Sequence, residues 1–181
     1  MNYIILDLEA TCWNPESFQY SQEIIEIGAC YVNSFLEIKK TFSRIVRPVF
    51  QPNLSIYCKQ LTGITQEDVD KSKSFDIVLE QFIDWCDDSN NGITMYTWGA
   101  KDYQLLLADC KAHKIEMDWM KEHVDLKSQF ARIKGLPKPI GLDKALTSEG
   151  YDFEGNRHRA LPDAINLSKL FIRYFEEWEK G

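Results

Sequence analysis

Residues 3–12 read Tyr-Ile-Ile-Leu-Asp-Leu-Glu-Ala-Thr-Cys (YIILDLEATC). An apolar run without polar alternation, Tyr3 to Leu6, is the pattern of a strand buried on both faces. Asp7 and Glu9 end that run. Side chains at i and i+2 on a strand share a face, so the two acids point the same way at close range. Charge at the end of a buried strand is costly unless something pairs with it. Two carboxylates so placed either share a proton or bind a cation. An ordinary solvated strand end carries the same Asp-x-Glu pattern, so the pair alone does not decide between these readings.

Working outward, two further strand-like runs follow a polar loop over Asn14 to Ser21: Gln22 to Asn33 and Glu37 to Arg47. Three strands in succession predict an antiparallel meander. Pro48 and Pro52 interrupt the pattern, and Thr65 with Asp68 fits a helix-starting capping box. Ser74 is placed to cap the next helix, where Phe75, Val78, Leu79, Phe82, Ile83 and Cys86 form one apolar face. Ile93 to Trp98 reads as a strand stopped by Gly99, and a helix follows with Tyr103, Leu106, Leu107 and Cys110 on one side. His123 to Leu126 reads as a last short strand. Two short helices ending near Gly135 and Gly150 precede a final helix from about Pro162 to Glu179. The expectation is one α/β domain spanning residues 1–181, with helices flanking a mixed five-stranded sheet made of the meander plus parallel strands.

Composition narrows the function. With 44% hydrophobic and 13% aromatic residues the chain can bury a substantial core. Cysteines 12, 30, 58, 86 and 110 include no C-x-x-C pair, which argues against a disulfide framework or zinc knuckle and points to a reducing, cytoplasmic setting. No apolar stretch approaches the roughly 18 residues of a membrane helix, and the first residues lack a basic signal-peptide region. A net charge of −7 and a pI of about 5.0 argue against coating nucleic acid by bulk electrostatics, yet leave room for an enzyme that works through bound cations.

Three more residues complete a candidate site. Asp102 follows Trp98-Gly99-Ala100-Lys101 at a strand-to-helix turn, where α/β sheets place ligands; a helix cap is the plainer reading. Asp163, just after Pro162, suits the first turn of a helix for dipole reasons alone. His158 lies five residues earlier in the polar segment Gly155 to Arg159. Jointly the pattern is more specific: four carboxylates without thiolate or imidazole ligands suit Mg²⁺ or Mn²⁺. Two such ions about 4 Å apart form the usual clamp for displacement at phosphorus. His158 then has the chemistry of a general base. His113 and His123 have no comparable setting.

With these residues the chain resembles the DEDDh 3′-to-5′ exonucleases of the RNase H-like superfamily. "DLEATC" carries Asp7 and Glu9, "WGAKD" carries Asp102, and "HRALPDA" carries His158 and Asp163, in order across nearly the whole chain. "RPVFQPNLSIYCKQLTGIT" and "GYDFEGNRHRALPDA" are similar to the ERI-1-like branch, which includes bacterial KapD-type proteins. The resemblance implies a single exonuclease domain with Asp7, Glu9, Asp102 and Asp163 holding two Mg²⁺ or Mn²⁺ ions and His158 as general base. It implies action on the 3′ ends of single-stranded RNA or DNA, RNA more than DNA, releasing nucleoside 5′-monophosphates. It also implies substrate contacts at Leu8, Ala10, Thr11, Leu61, Trp98 and His158, although Leu8 and Trp98 suit the core equally well. The chain starts at its first strand, so selectivity is expected from the catalytic domain or from a partner. Pro162 departs from the family pattern, which often has an acid there. Two alternatives stay open: a non-catalytic RNA- or protein-binding regulator on the same fold, and a scavenger of very short RNAs.

Overall fold

The computed structural model describes residues 3–14, 21–86 and 93–179; most of the loop expected over Asn14 to Ser21 lies outside them. In chain order the elements are β1 Tyr3–Ala10, β2 Ile24–Val32, β3 Ile38–Arg47, α1 Ile56–Thr62, α2 Gln66–Asp70, β4 Lys73–Ser74, α3 Phe75–Cys86, β5 Ile93–Thr97, α4 Lys101–His113, β6 Met120–Asp125, α5 Leu126–Ile133, α6 Leu142–Ser148 and α7 Ala160–Arg173. The sheet order is β4-β3-β2-β1-β5-β6. β1, β2 and β3 form the antiparallel meander, while β5 joins β1 and β6 joins β5 in parallel. The sheet thus has six strands rather than five. The extra one, β4, is two residues long and pairs with Val46 and Arg47, too short for any periodicity to reveal. Ser74 accordingly ends β4, with α3 beginning at the next residue.

The apolar run of β1 is split between two layers, as strand alternation requires. Ile4, Leu6, Leu8 and Ala10 pack in a core with α3 and α4 residues such as Phe82 and Leu106. Tyr3 and Ile5 pack on the other face with α5, α6 and α7, against Phe130, Leu146 and Phe171. Asp7 and Glu9 continue this second face, where the apolar layer gives way to the start of α7. At the same level Glu9 pairs with Glu26 and Ala10 with Ile24, leaving Ile25 as the extra residue of a β-bulge.

Helix ends follow local chemistry. Thr65 and Asp68 form the expected capping box of α2, and Ser55 caps α1 through the Cys58 N–H. α7 begins at Ala160, two residues before the expected Pro162. Pro162 is its third residue, where a backbone N–H would have no acceptor within the helix, so the proline costs no hydrogen bond. α7 ends at Arg173, short of Glu179, because the chain turns back and buries Trp178, whose Nε1 donates to Phe171 O at 2.8 Å. β6 starts at Met120, three residues before the expected strand, and Asp125 closes it by capping α5 through Ser128 N–H.

Candidate active site

β1 delivers Asp7 and Glu9 to the end of the sheet, and the first turn of α7 delivers Asp163. One carboxylate oxygen from each lies within 4.8 Å of the others, close enough for a single cation to bridge all three. Asp102 comes from the other side of β1. It is the second residue of α4, only 8% exposed, and its carboxylate accepts the Leu8 backbone N–H. It does not cap α4, whose N-cap is Ala100. Asp102 stands outside the group of three, yet among charged neighbours it raises the Asp7 pKa most. The position is a topological switch: the strands that follow β1 continue to one side of it as β2, β3 and β4 and to the other as β5 and β6.

Burial and mutual repulsion hold protons on this cluster. Burial first, then Asp102, Asp163 and Glu9, push Asp7 well above the carboxylate range. Burial and the Asp163 charge push Glu9 up to about 8. Burial takes Asp102 to about 7 against the opposing Leu8 hydrogen bond. Asp163 rises to about 6, again through burial, tempered by backbone hydrogen bonds from Arg159 and His158. Such a set favours either shared protons or cations. Its all-oxygen donors fit Mg²⁺ or Mn²⁺.

His158 lies exposed in a left-handed backbone conformation, φ 59°, one residue before the N-cap Arg159. The chain just before it is pinned at two points. Asn166, fully buried, bonds Glu154 N and O at 3.0 and 2.8 Å, and Arg157 Nε donates to Asp143 at 2.7 Å. The remaining expected contacts divide. Leu8 and Ala10 belong to the core on the opposite face of β1. The Thr11 hydroxyl is buried and accepts Glu23 N–H at 2.9 Å. Trp98 is half-buried against Phe130, with its indole N–H on Ile140 O at 3.1 Å. Leu61, in α1, is half-buried.

Three residues at the site escaped the sequence reading. Glu26 of β2, 1% exposed, sits across from Glu9. It accepts Arg159 Nε at 2.9 Å, Arg159 Nη2 at 2.8 Å and Ala160 N–H at 3.0 Å. Gly28, two residues on and on the same face, lies directly under α7: a Cβ there would come within 2.2 Å of Ala160 C and Leu161 N. The available signal was Glu26 itself, a lone acid inside Ile24-Ile25-Glu26-Ile27, the same anomaly that marks Asp7 and Glu9.

Comparison with known proteins agrees with this geometry. Residues 4–171 match the sequence pattern of the family described as "Exonuclease" (RNase_T). The chain is 30% identical over 182 residues to mouse (Mus musculus) 3'-5' exoribonuclease 1, with 96% of this chain and 52% of that protein covered. It is 32% identical over 203 residues to Schizosaccharomyces pombe 3'-5' exonuclease eri1, with 96% and 68% covered. It therefore spans about half the length of the mouse relative. The crystal structure of the nuclease domain of 3'hExo, a DEDDh family member bound to rAMP, superposes with a TM-score of 0.90 at 29% identity, covering 97% of this chain and 92% of that one. Acids in the expected order, their convergence at a switch point of the sheet and these likenesses agree: the chain belongs to the exonuclease family, among its DEDDh 3′-to-5′ members.

Proposed function

We propose that this chain is a metal-dependent exonuclease that removes nucleotides from the 3′ end of single-stranded nucleic acid, RNA in preference to DNA, releasing nucleoside 5′-monophosphates. The observation that carries this reading is the convergence of Asp7, Glu9 and Asp163 oxygens within 4.8 Å, with buried Asp102 behind them. The relatives named as exoribonucleases support RNA as the substrate.

Asp7, Glu9, Asp102 and Asp163 would hold two Mg²⁺ or Mn²⁺ ions. Cations bound there supply Lewis-acid polarisation of the scissile phosphate and activation of water. Asp7 and Glu9, fixed on one strand, would place the cations, and with them the reacting phosphate, at the end of β1. His158 takes the proton from the attacking water, and its surface position lets it pass that proton to solvent. Asp163, tied by its carboxylate to the His158 and Arg159 backbone, keeps that imidazole in step with the ligand set. Cysteines without a C-x-x-C pair support a cytoplasmic setting, and among the described residues no helix is long and apolar enough to cross a membrane.

The test is a 5′-labelled RNA strand and its DNA counterpart incubated with Mn²⁺. A ladder shortening from the 3′ end is expected, faster on RNA, and abolished by EDTA or by Asp163→Ala. A ladder that survives both treatments would sink the assignment. Equal or faster cleavage of DNA would overturn the RNA preference alone.

A further inference from the structure

The mechanism above uses four carboxylates and one imidazole, yet a fifth buried acid stands among them. Glu26 faces Glu9 across the β1–β2 pair and is nearly sealed from solvent. Its charge is matched by the Arg159 guanidinium, which donates from Nε and Nη2 to separate oxygens of the carboxylate. That is the two-pronged geometry for which arginine, unlike lysine, is shaped. Buried ion pairs of this kind add little net stability, because desolvation offsets most of the attraction. Stability is therefore a poor account of why an arginine and a glutamate meet beside a cation site.

Placement is a better one. α7 lacks a capping side chain of its own at Arg159, so its first amide groups depend on partners brought from elsewhere. Glu26 takes the Ala160 N–H, and Asp163 reaches back to the backbone of Arg159 and His158. Gly28 removes the side chain that would otherwise hold this turn away from β2. Strand and helix thus meet backbone to backbone, with the ion pair locking rotation about the contact. His158 immediately precedes Arg159, and Asp163 follows Ala160 by three residues, within the same helical turn. Any slip of this turn moves the proposed base and a metal ligand together relative to Asp7 and Glu9.

We infer that Glu26 and Arg159, seated over Gly28, are positioning residues of the exonuclease reaction: they dock the first turn of α7 so that Asp163 and His158 meet the β1 acids. This rests on the nuclease reading above. Arg159 has a second effect, since it neutralises Glu26 and stops it competing as a fifth anionic ligand.

The experiment is a set of three variants, Arg159→Ala, Glu26→Gln and the double substitution, assayed for kcat and KM on an RNA strand and for the rise in melting temperature produced by Mn²⁺. Arg159→Ala is expected to lower kcat about 100-fold while KM moves less than about threefold, as a misplaced catalytic geometry does. Its Mn²⁺-induced stabilisation should shrink. Millimolar guanidinium should restore much of the turnover in Arg159→Ala, and none in the double variant, which lacks the carboxylate that receives the ion. Arg159→Lys should recover only part of the activity. Wild-type kcat in both single variants, or a loss in Arg159→Ala that guanidinium fails to reverse, would overturn the positioning role. A wild-type protein without hydrolysis would defeat the nuclease reading instead. In that case the Mn²⁺ titration still decides: undiminished stabilisation of Arg159→Ala overturns the inference and diminished stabilisation supports it.

Discussion

The two flanks of β1 bring acids to the same place by different means. On the α4 side Asp102 is held by backbone: the Leu8 N–H bonds its carboxylate. The turn before it is braced by neutral groups, with Thr97 Oγ1 donating to Gly99 O at 2.6 Å and contacting His123 Nε2 at 2.7 Å. On the α7 side Asp163 arrives on a helix end docked by charge, through Arg159 and Glu26, over a glycine. The difference separates rigidity from adjustability. Backbone and neutral-group hydrogen bonds fix a side chain whatever the ionic conditions, whereas a docked helix end depends on an ion pair between β2 and α7 and on close packing of their backbones.

Substitutions of the two acids themselves should have the largest effect and treat both flanks alike. Asp102→Asn and Asp163→Asn are each expected to lower kcat by about 1,000-fold or more, since each removes an anionic ligand from the proposed cation site. Both should also raise the melting temperature of the metal-free protein by relieving repulsion. A fall in both melting temperatures would break the account of an electrostatically strained cluster.

The two glycines sharpen the contrast. Gly28→Ala forces a Cβ into the α7 backbone and should destabilise the protein by about 3 kcal/mol, at the upper end for overpacking, with turnover falling in the surviving folded fraction. Gly99, at φ 112°, has only Lys127 Cδ at 3.5 Å from its would-be Cβ. Gly99→Ala is therefore expected to cost about 1–2 kcal/mol, from backbone strain alone. Denaturant melts of both variants measure this, and equal losses would mean that close approach at Gly28 is not what seats the helix.

A pH series is the next, gentler probe. Glu9, Asp102 and Asp163 titrate near 8, 7 and 6 when folded, against 4.5, 3.8 and 3.8 unfolded. Between these limits the metal-free folded protein binds more protons than the unfolded chain, so its stability falls as pH rises. Cations displace those protons and reverse the trend. The Mn²⁺-induced gain in melting temperature should therefore grow from about pH 5.5 to about pH 8. A gain that is flat with pH would contradict the raised pKa values. Smallest of all, Thr97→Val removes the hydroxyl bridge and is expected to cost about 1 kcal/mol in a urea melt. Mn²⁺ stabilisation should change little, because the Leu8 N–H still holds Asp102.

Much of this was legible from local pattern. The apolar run of β1 and the i, i+3, i+4 face of α3 announce buried elements because burial imposes a period. Asp7 and Glu9 stand out because acids at the end of an apolar run are costly without a partner, whereas Asp102 and Asp163, each readable as an ordinary acid at a helix start, stand out only jointly with them. β4 has too few residues to show a period, and α7 begins two residues before the proline that suggests a helix start, because Pro162 is its third residue rather than its first. Glu26 and Arg159 are 133 residues apart in the chain, so no window shows that they meet. Gly28 carries no side chain to signal its role. What escaped the reading is thus the support around the acids, defined by partners across the sheet rather than by neighbours in sequence.

The buried turn beyond α7 has a mechanical consequence. Fourteen helical residues make a rod of about 21 Å. One end carries Asp163; the other is held by Trp178 on Phe171 and by Glu179 N–H on Gln129 at 2.8 Å. A pull on the chain past residue 179 therefore reaches α5 through Gln129 as well as the helix whose far end carries Asp163, so the path from that point to the acidic cluster is stiff rather than slack.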